Sequence, residues 1–412
     1  MEPFAPLLFP FKGRVTSHII NRMRFKDLPA HVRHTFYYDL RSGLLIGVFG
    51  GLLMPFIPII GRKIGASDFQ VALLAASPYI ANTFTLLWTE DVFGRGRVWY
   101  VVWPGVLGRL ILLGMFYVTA PFWYTVVIFA YMIVTAIPFP SYASIMKTNY
   151  PDEHRGKLMA YVRVGIAVSW VAASALAGWV LEKDTYNFRY IFPVAAVFGA
   201  LSALQFRSIR VRREKREREP FAGTSHLLRP LKDGAFLRFV TVYSLFEFGL
   251  LMALPVFPLV LVDEVGISNL ATGVYGSIFS MMWLLGFFFW GRQLDAHPVK
   301  RVLVLIFAIA SATPLLYLFT RDIYALGVAQ ATAGFTFAAL ELTNYVVITR
   351  IASEGEVARY TAANIAIGGI RGATAPFLGT ALFAVAGGGA VFGVSLAMCV
   401  GALVLAPMMV RM

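Results

Sequence analysis

Two short stretches decide how this chain folds. The first is Pro55-Phe56-Ile57-Pro58 followed by Gly65-Ala66-Ser67; the second is Pro255-Val256-Phe257-Pro258 followed by Gly266-Ile267-Ser268. Each closes a long apolar run, 43–61 in one case and 236–262 in the other. Working outward, the next apolar run of each half ends on the same pattern: Asp91 with Arg97-Val98 six residues on, and Asp295 with Arg301-Val302 six residues on. Further along, Ala173-Ser174-Ala175-Leu176-Ala177-Gly178 aligns with Ala375-Pro376-Phe377-Leu378-Gly379-Thr380. Three matches in the same order, offset by about 200 residues, mark an internal repeat. Between the copies lies the longest polar stretch, 207–235, charged at first and then reaching Pro220.

Composition names the solvent. Of 412 residues, 58% are hydrophobic and only 14% charged, against roughly 25% charged in soluble domains. A spanning helix needs about 20 mainly apolar residues. Candidate spans lie at 43–61, 69–89, 98–119, 123–146, 159–181 and 190–206, then at 236–262, 272–290, 301–320, 324–348, 360–385 and 390–410. Prolines and glycines within them are compatible with spanning, because neighbouring helices satisfy the freed backbone groups. The chain thus reads as an all-α membrane protein with twelve transmembrane helices in two pseudo-symmetric six-helix bundles. Its expected parts are a basic arm (1–41), a first bundle (42–206), a linker (207–235) and a second bundle (236–412). Six helices per half is an even number, so both repeats start on the same side and are parallel.

The net charge is +14, which in a soluble protein would suggest nucleic acid. Its placement argues otherwise. Basic residues crowd the arm, the linker and the turns on one side, while the opposite turns hold only Arg62, Lys63, Lys183, Arg189 and Arg321. That is the positive-inside bias, with both termini cytoplasmic and the plasma (inner) membrane as the site. The 207–232 run is read as topogenic or as an inner-leaflet contact, with no nucleic-acid partner. Leu28–Arg41 reads as an amphipathic helix on the inner surface. Trp99, Trp103, Trp123 and Tyr124 read as interfacial anchors. The first 40 residues lack the apolar core of a cleavable leader, and the single cysteine, Cys399, implies neither an internal disulfide nor a metal cluster.

The most specific motif is Gly291-Arg292-Gln293-Leu294-Asp295-Ala296-His297-Pro298-Val299-Lys300-Arg301. It resembles the loop motif of the major facilitator superfamily, a glycine, an aspartate and a basic pair after the second and eighth helices. The first copy, around Asp91 and Arg97, is degenerate, with Leu87 where the glycine belongs. Pro151-Asp152-Glu153-His154-Arg155-Gly156 resembles the family's loop after helix four, and Ala375-Pro376-x-x-Gly379 is similar to an exporter element, though it stands in helix eleven rather than five. The resemblance covers 36–410. It implies two bundles around a central cavity lined mainly by helices 1, 4, 7 and 10, with alternating access. In physical terms Asp295 can accept from a neighbouring helix N-terminus and pair with Arg292 or Arg301, which would latch two helices; a solvated turn is the plainer alternative.

A charge at bilayer depth needs a partner or a purpose. Counted from flanking basic residues, Arg109 lies about 18 Å in, Glu247 and Glu341 about 13 Å, and Arg371 near the midplane. Two carboxylates and one guanidinium in the second half cannot all pair, so one glutamate is a candidate proton carrier; the alternative is a Glu–Arg brace between 324–348 and 360–385. Asn344 and Tyr243 share the faces of Glu341 and Glu247. Arg109 has no acid at its depth; it binds substrate, or it rests on helix carbonyls or a water pocket. Arg163 is expected to snorkel to the interface.

Enzyme readings fail: there is no phosphate-cradling loop and no HExxH metal site, so no cofactor or metal is expected. The Gly387-Gly388-Gly389 run reads as a short turn. The sequence points to a monomeric carrier in the lipid bilayer that moves a small-molecule solute coupled to a proton or other ion. Export is favoured, import of an organic anion is the runner-up, and a non-transporting scaffold or sensor is the outlying alternative.

Overall fold

The computed structural model describes residues 28–94, 97–137, 142, 145–146, 148–210, 229–353 and 356–408. Every regular element among them is helical. The first half runs α1 (Ala30–Leu53), α2 (Ile57–Lys63), α3 (Asp68–Gly94), α4 (Arg97–Ile111), α5 (Pro121–Ala136), α6 (Asp152–Lys183) and α7 (Phe188–Gln205). The second runs α8 (Gly234–Ala253), α9 (Val256–Asp263), α10 (Asn269–Ala296), α11 (Val299–Phe319), α12 (Ile323–Ile351) and α13 (Val357–Leu405). Eight helical runs among the described residues are long and apolar enough to cross a membrane, with shorter apolar helices at Val101–Tyr117 and Pro121–Ala136.

The paired prolines do what the repeat suggests. Pro55 parts α1 from α2, and Pro255 parts α8 from α9, because proline withdraws a backbone donor from the helix ladder. At the other punctuation mark, Gly387 takes φ +76° and splits the 49-residue run of α13. Both arms pack on α8 in opposite directions: Gly379 lies on Met252, while Gly249 lies on Ser395 and Met398. The glycine run is therefore the apex of a helical hairpin.

Within each half the main packing is equivalent. α1 packs on α6, and α8 packs on α13. Close approach on the first pair comes from Gly43, Gly47, Gly50 and Gly51, whose missing Cβ atoms leave room for Val162, Ile166, Trp170 and Ala173. In lipid such small-residue seams are what lets helices associate. The contacts between halves are themselves twofold: α6 packs on α10, and α13 packs on α3. Exchanging the halves exchanges these two seams, as parallel repeats require.

Two readings change here. The helix expected on the membrane surface over 28–41 is the opening half of α1, with Val32, Thr35 and Asp39 buried; its basic flank disguised a buried face. Tyr124 is not an interfacial anchor but a core residue, fully buried and donating to Ile57 O at 2.9 Å. Trp99 and Trp103 do stand uncovered by protein, stacked at 5.8 Å.

Candidate functional site

A cavity of about 160 Å³ opens where α3 of the first half faces α8, α12 and α13 of the second. Tyr79 and Asn82 come from α3, Glu247 from α8, Asn344 from α12, and Asn364, Gly368, Gly369 and Arg371 from α13. The glycines shape it: a Cβ on Gly369 would strike Thr83 and one on Gly372 the ring of Tyr79. Without them α3 could not lie this close to α13.

Arg371 organises the polar groups. It is 6% exposed. Its Nη2 is ion-paired with Glu247, its Nη1 donates to Ser244 Oγ at 2.5 Å, and its guanidinium lies over the ring of Tyr243 at 5.6 Å. Its Nε is buried with no protein acceptor. Asn344 Nδ2 donates to Tyr243 OH at 2.9 Å, and Asn364 Nδ2 reaches Asn344 Oδ1 at 3.5 Å, leaving Asn364 Oδ1 buried and unsatisfied. A buried unmet donor and a buried unmet acceptor beside one cavity are costly unless something fills it.

The structure thus gathers Glu247, Arg371, Asn344 and Tyr243 at one place and sets Glu341 apart. Glu341 accepts from Arg163 Nη2 at 2.9 Å, across the two halves, and from Trp283 Nε1 at 3.4 Å. Arg163 sits over the Phe287 ring at 3.9 Å. Hence neither Glu247 nor Glu341 is left over, because the first half supplies the second cation. Nor does Arg371 brace α12; it braces α8. Arg163 does not snorkel, since α6 begins at Asp152 and places it about 16 Å along the helix.

Arg109 lies elsewhere, in the first half. Its Nη1 donates to Gly105 O of its own helix at 2.7 Å, and its guanidinium covers the Phe49 ring at 5.3 Å. That is the helix-carbonyl reading. Asp295 and Arg292 are exposed, and among the described residues no ion pair joins Asp295 to Arg292 or Arg301. The last turn of α10 is tied to α12 by Arg350 Nη2 donating to Leu294 O at 3.3 Å. The side chains of Asp91 and Arg97 lie outside the described residues.

Sequence reasoning missed two features. One is Asp39, 1% exposed, accepting from Tyr150 OH at 2.8 Å and Tyr142 OH at 3.4 Å. An acid inside Phe36-Tyr-Tyr-Asp-Leu, just before an apolar run, was the available signal. The other is a cluster binding the halves at the end that carries α2 and α9. Arg62 pairs with Asp263 at 2.5 Å and Asp68 at 3.0 Å. Lys63 donates to Asn269 Oδ1, Asn269 Nδ2 donates to Leu181 O, and Glu182 accepts from Leu270 N. Deeper along the same seam Ser174 Oγ donates to Gly273 O at 2.9 Å, and Gly178 meets Gly273 with no room for a side chain on either. At the opposite end, just before α8, Asp233 caps the helix through Ala235 N at 2.8 Å and accepts from Tyr360 OH at 2.8 Å. Burial works to raise its pKa, but the Tyr360 hydroxyl, the helix amides and Arg238 outweigh it and hold the carboxyl below its ordinary value.

The family model described as Major Facilitator Superfamily matches residues 42–251 and again 239–411. The chain belongs to that superfamily and is a multi-pass α-helical membrane protein. Among solved structures it is similar to a variant of the nucleoside transporter NupG (TM-score 0.72, 13% identity, covering 91% of this chain and 99% of that one). It is similar also to a D-xylose-proton symporter (0.68, 13%, 93% and 98%) and to the human organic anion transporter MFSD10 (0.64, 15%, 92% and 100%). At these identities the likeness is one of fold. No curated protein matches the chain in sequence.

Proposed function

We propose that this chain is a secondary transporter that moves a small polar organic solute by alternating access, coupled to protons, with the Glu247–Arg371 cavity as the solute site. The observation that carries the reading is the cavity's place. It lies between the two halves, it holds the buried ion pair, and its unmet donor and acceptor ask for a ligand. Twelve spans, cytoplasmic termini, a plasma-membrane site and a monomeric carrier complete the proposal. In that topology the Arg62–Asp263 cluster closes the outer end.

Coupling follows from the pair. Burial favours a neutral carboxyl and an adjacent guanidinium favours the ionised one. A rocking motion that changes either the contact or the access of water changes proton binding with it. Export keeps its place through the Ala375-Pro376-x-x-Gly379 element and the apolar, aromatic-rich composition of the chain. Import of an organic anion is the second reading, favoured by the unpartnered Nε of Arg371, which a carboxylate could accept from. The fold shared with sugar–proton, nucleoside and organic-anion carriers suits either.

A thermal-shift screen on the purified protein identifies the solute, since a ligand raises apparent stability by mass action. Proteoliposomes with and without a pH gradient then read accumulation. The expected result is a stabilising solute whose effect disappears in Arg371→Ala and whose accumulation follows the gradient. A solute that is carried equally well by Arg371→Ala would sink the site.

A further inference from the structure

Among the described residues, Asp39 is the acid that protein covers most completely. It lies on α1, against the segment 142–150, far in sequence from every group of the solute cavity. Among the described residues no cation pairs with it. From the 142–150 segment it meets Tyr142 and Tyr150. From α6, Arg155 is engaged through Nη2 with Tyr150 O at 3.2 Å, and Arg163 pairs with Glu341 while its field extends to Tyr142. From α7, Ser202 is bonded to Ser42. On α1 itself Arg41 is turned onto the Tyr37 ring at 4.5 Å.

An ionised carboxylate out of water needs a cation or several strong donors. Among the described residues Asp39 has two neutral phenols as donors, one close and one distant. A neutral carboxyl fits the same cage in a different way. Oδ2 still accepts from Tyr150 at 2.8 Å, while a proton on Oδ1 can be donated to the oxygen of Tyr142, since a phenol is acceptor as well as donor. The cage therefore accepts both protonation states by turning one hydroxyl, with no rearrangement of helices.

We propose that Asp39 is a reversible proton-binding site in the first half, separate from the Glu247–Arg371 cavity. The ligand is the proton itself: Oδ1 gains it, the Tyr142 hydroxyl turns from donor to acceptor, and nothing else is exchanged. The ionised form would also add a negative charge near Tyr142, within the field of Arg163. Proton occupancy in one half is thereby placed beside the cation that reaches across to the other.

The test is an infrared pH titration of the full chain in lipid, without solute. The wild type is expected to develop a protonated-carboxyl band as pH falls, and Asp39→Asn to lose it. Tyr150→Phe keeps the acid and removes its closer donor, so the midpoint should move to higher pH, because that donor favours the anion. Glu247→Gln should leave the band in place. A wild-type band that survives Asp39→Asn, or a midpoint unmoved in Tyr150→Phe, overturns the proposal. Since no solute is present, failure here leaves the solute cavity standing, and failure of the solute screen leaves this titration standing.

Discussion

Two guanidinium–carboxylate pairs sit at membrane depth and differ in nearly everything but chemistry. Arg371–Glu247 joins α13 to α8 inside one half, with side chains 7% and 18% exposed. Arg163–Glu341 joins α6 to α12 between the halves, with side chains 28% and 41% exposed. The first pair can persist while the halves rock. The second must change partners or separate whenever the halves move apart along its line. A buried pair within a rigid body builds a site, and a half-exposed pair between two bodies reports their positions.

The comparison is broken most severely at the buried pair. Removing one partner of a buried pair costs about 3–5 kcal/mol. Arg371→Ala is therefore expected to melt well below the wild type and to lose solute binding, and any surviving transport should peak at higher pH, because the carboxylate has lost its cation. Glu247→Gln mimics the protonated acid permanently. Gradient-driven accumulation should cease while solute exchange persists, and uphill accumulation at the wild-type rate would mean the carboxylate is structural.

Asp233 supplies a reference carboxylate outside the spanning segments. Asparagine keeps a capping oxygen, so Asp233→Asn removes only the charge, which at a helix N-terminus is worth about 0.3–1 kcal/mol. The folded pKa of Asp233 is depressed, so its contribution is present above the unfolded value, about 4, and is lost as pH falls through the folded one. Asp233→Asn should melt lower than wild type at neutral pH, and the two should converge in acid. A gap that widens in acid would reverse the assignment.

The smallest effect belongs to the inter-half pair. Exposed pairs are worth about 0.2–1 kcal/mol, so Arg163→Ala or Glu341→Gln should barely change melting. Either should instead shift the balance between conformations by up to about fivefold, read as a change in the distance distribution between spin labels on α2 and α9. Loss of melting temperature as large as in Arg371→Ala would show that the two pairs are not different in kind.

The fold was legible because lipid imposes length and apolarity on every helix, and because Pro55 and Pro255 punctuate both copies at the same place. Arg371 and Glu247 were legible as charges that lipid does not tolerate alone. Their pairing was not, since depth along a helix carries no information about which way a side chain faces. Arg163 was misplaced because its depth was measured from Lys157, a residue already inside α6. Asp39 was hidden by Arg33 and Arg41, which make its surroundings look like a surface when one face of that helix is buried. The loop motif around Asp295 was legible as a pattern, and its aspartate is exposed here.

The breaks at Pro55 and Pro255 leave α2 and α9 as stubs of seven and eight residues at the tips of long rods. These stubs touch each other, and the Arg62–Asp263 pair rides on them. A stub beyond a missing backbone bond is a short lever: it can swing without unzipping the rod behind it. Parting this end of the molecule therefore costs local bending of two levers and release of their charges, while the small-residue seams that hold each bundle together stay shut. Amide hydrogen exchange should be faster in the residues just beyond each proline than in the rods, and faster still in Arg62→Ala, where the levers are unclasped.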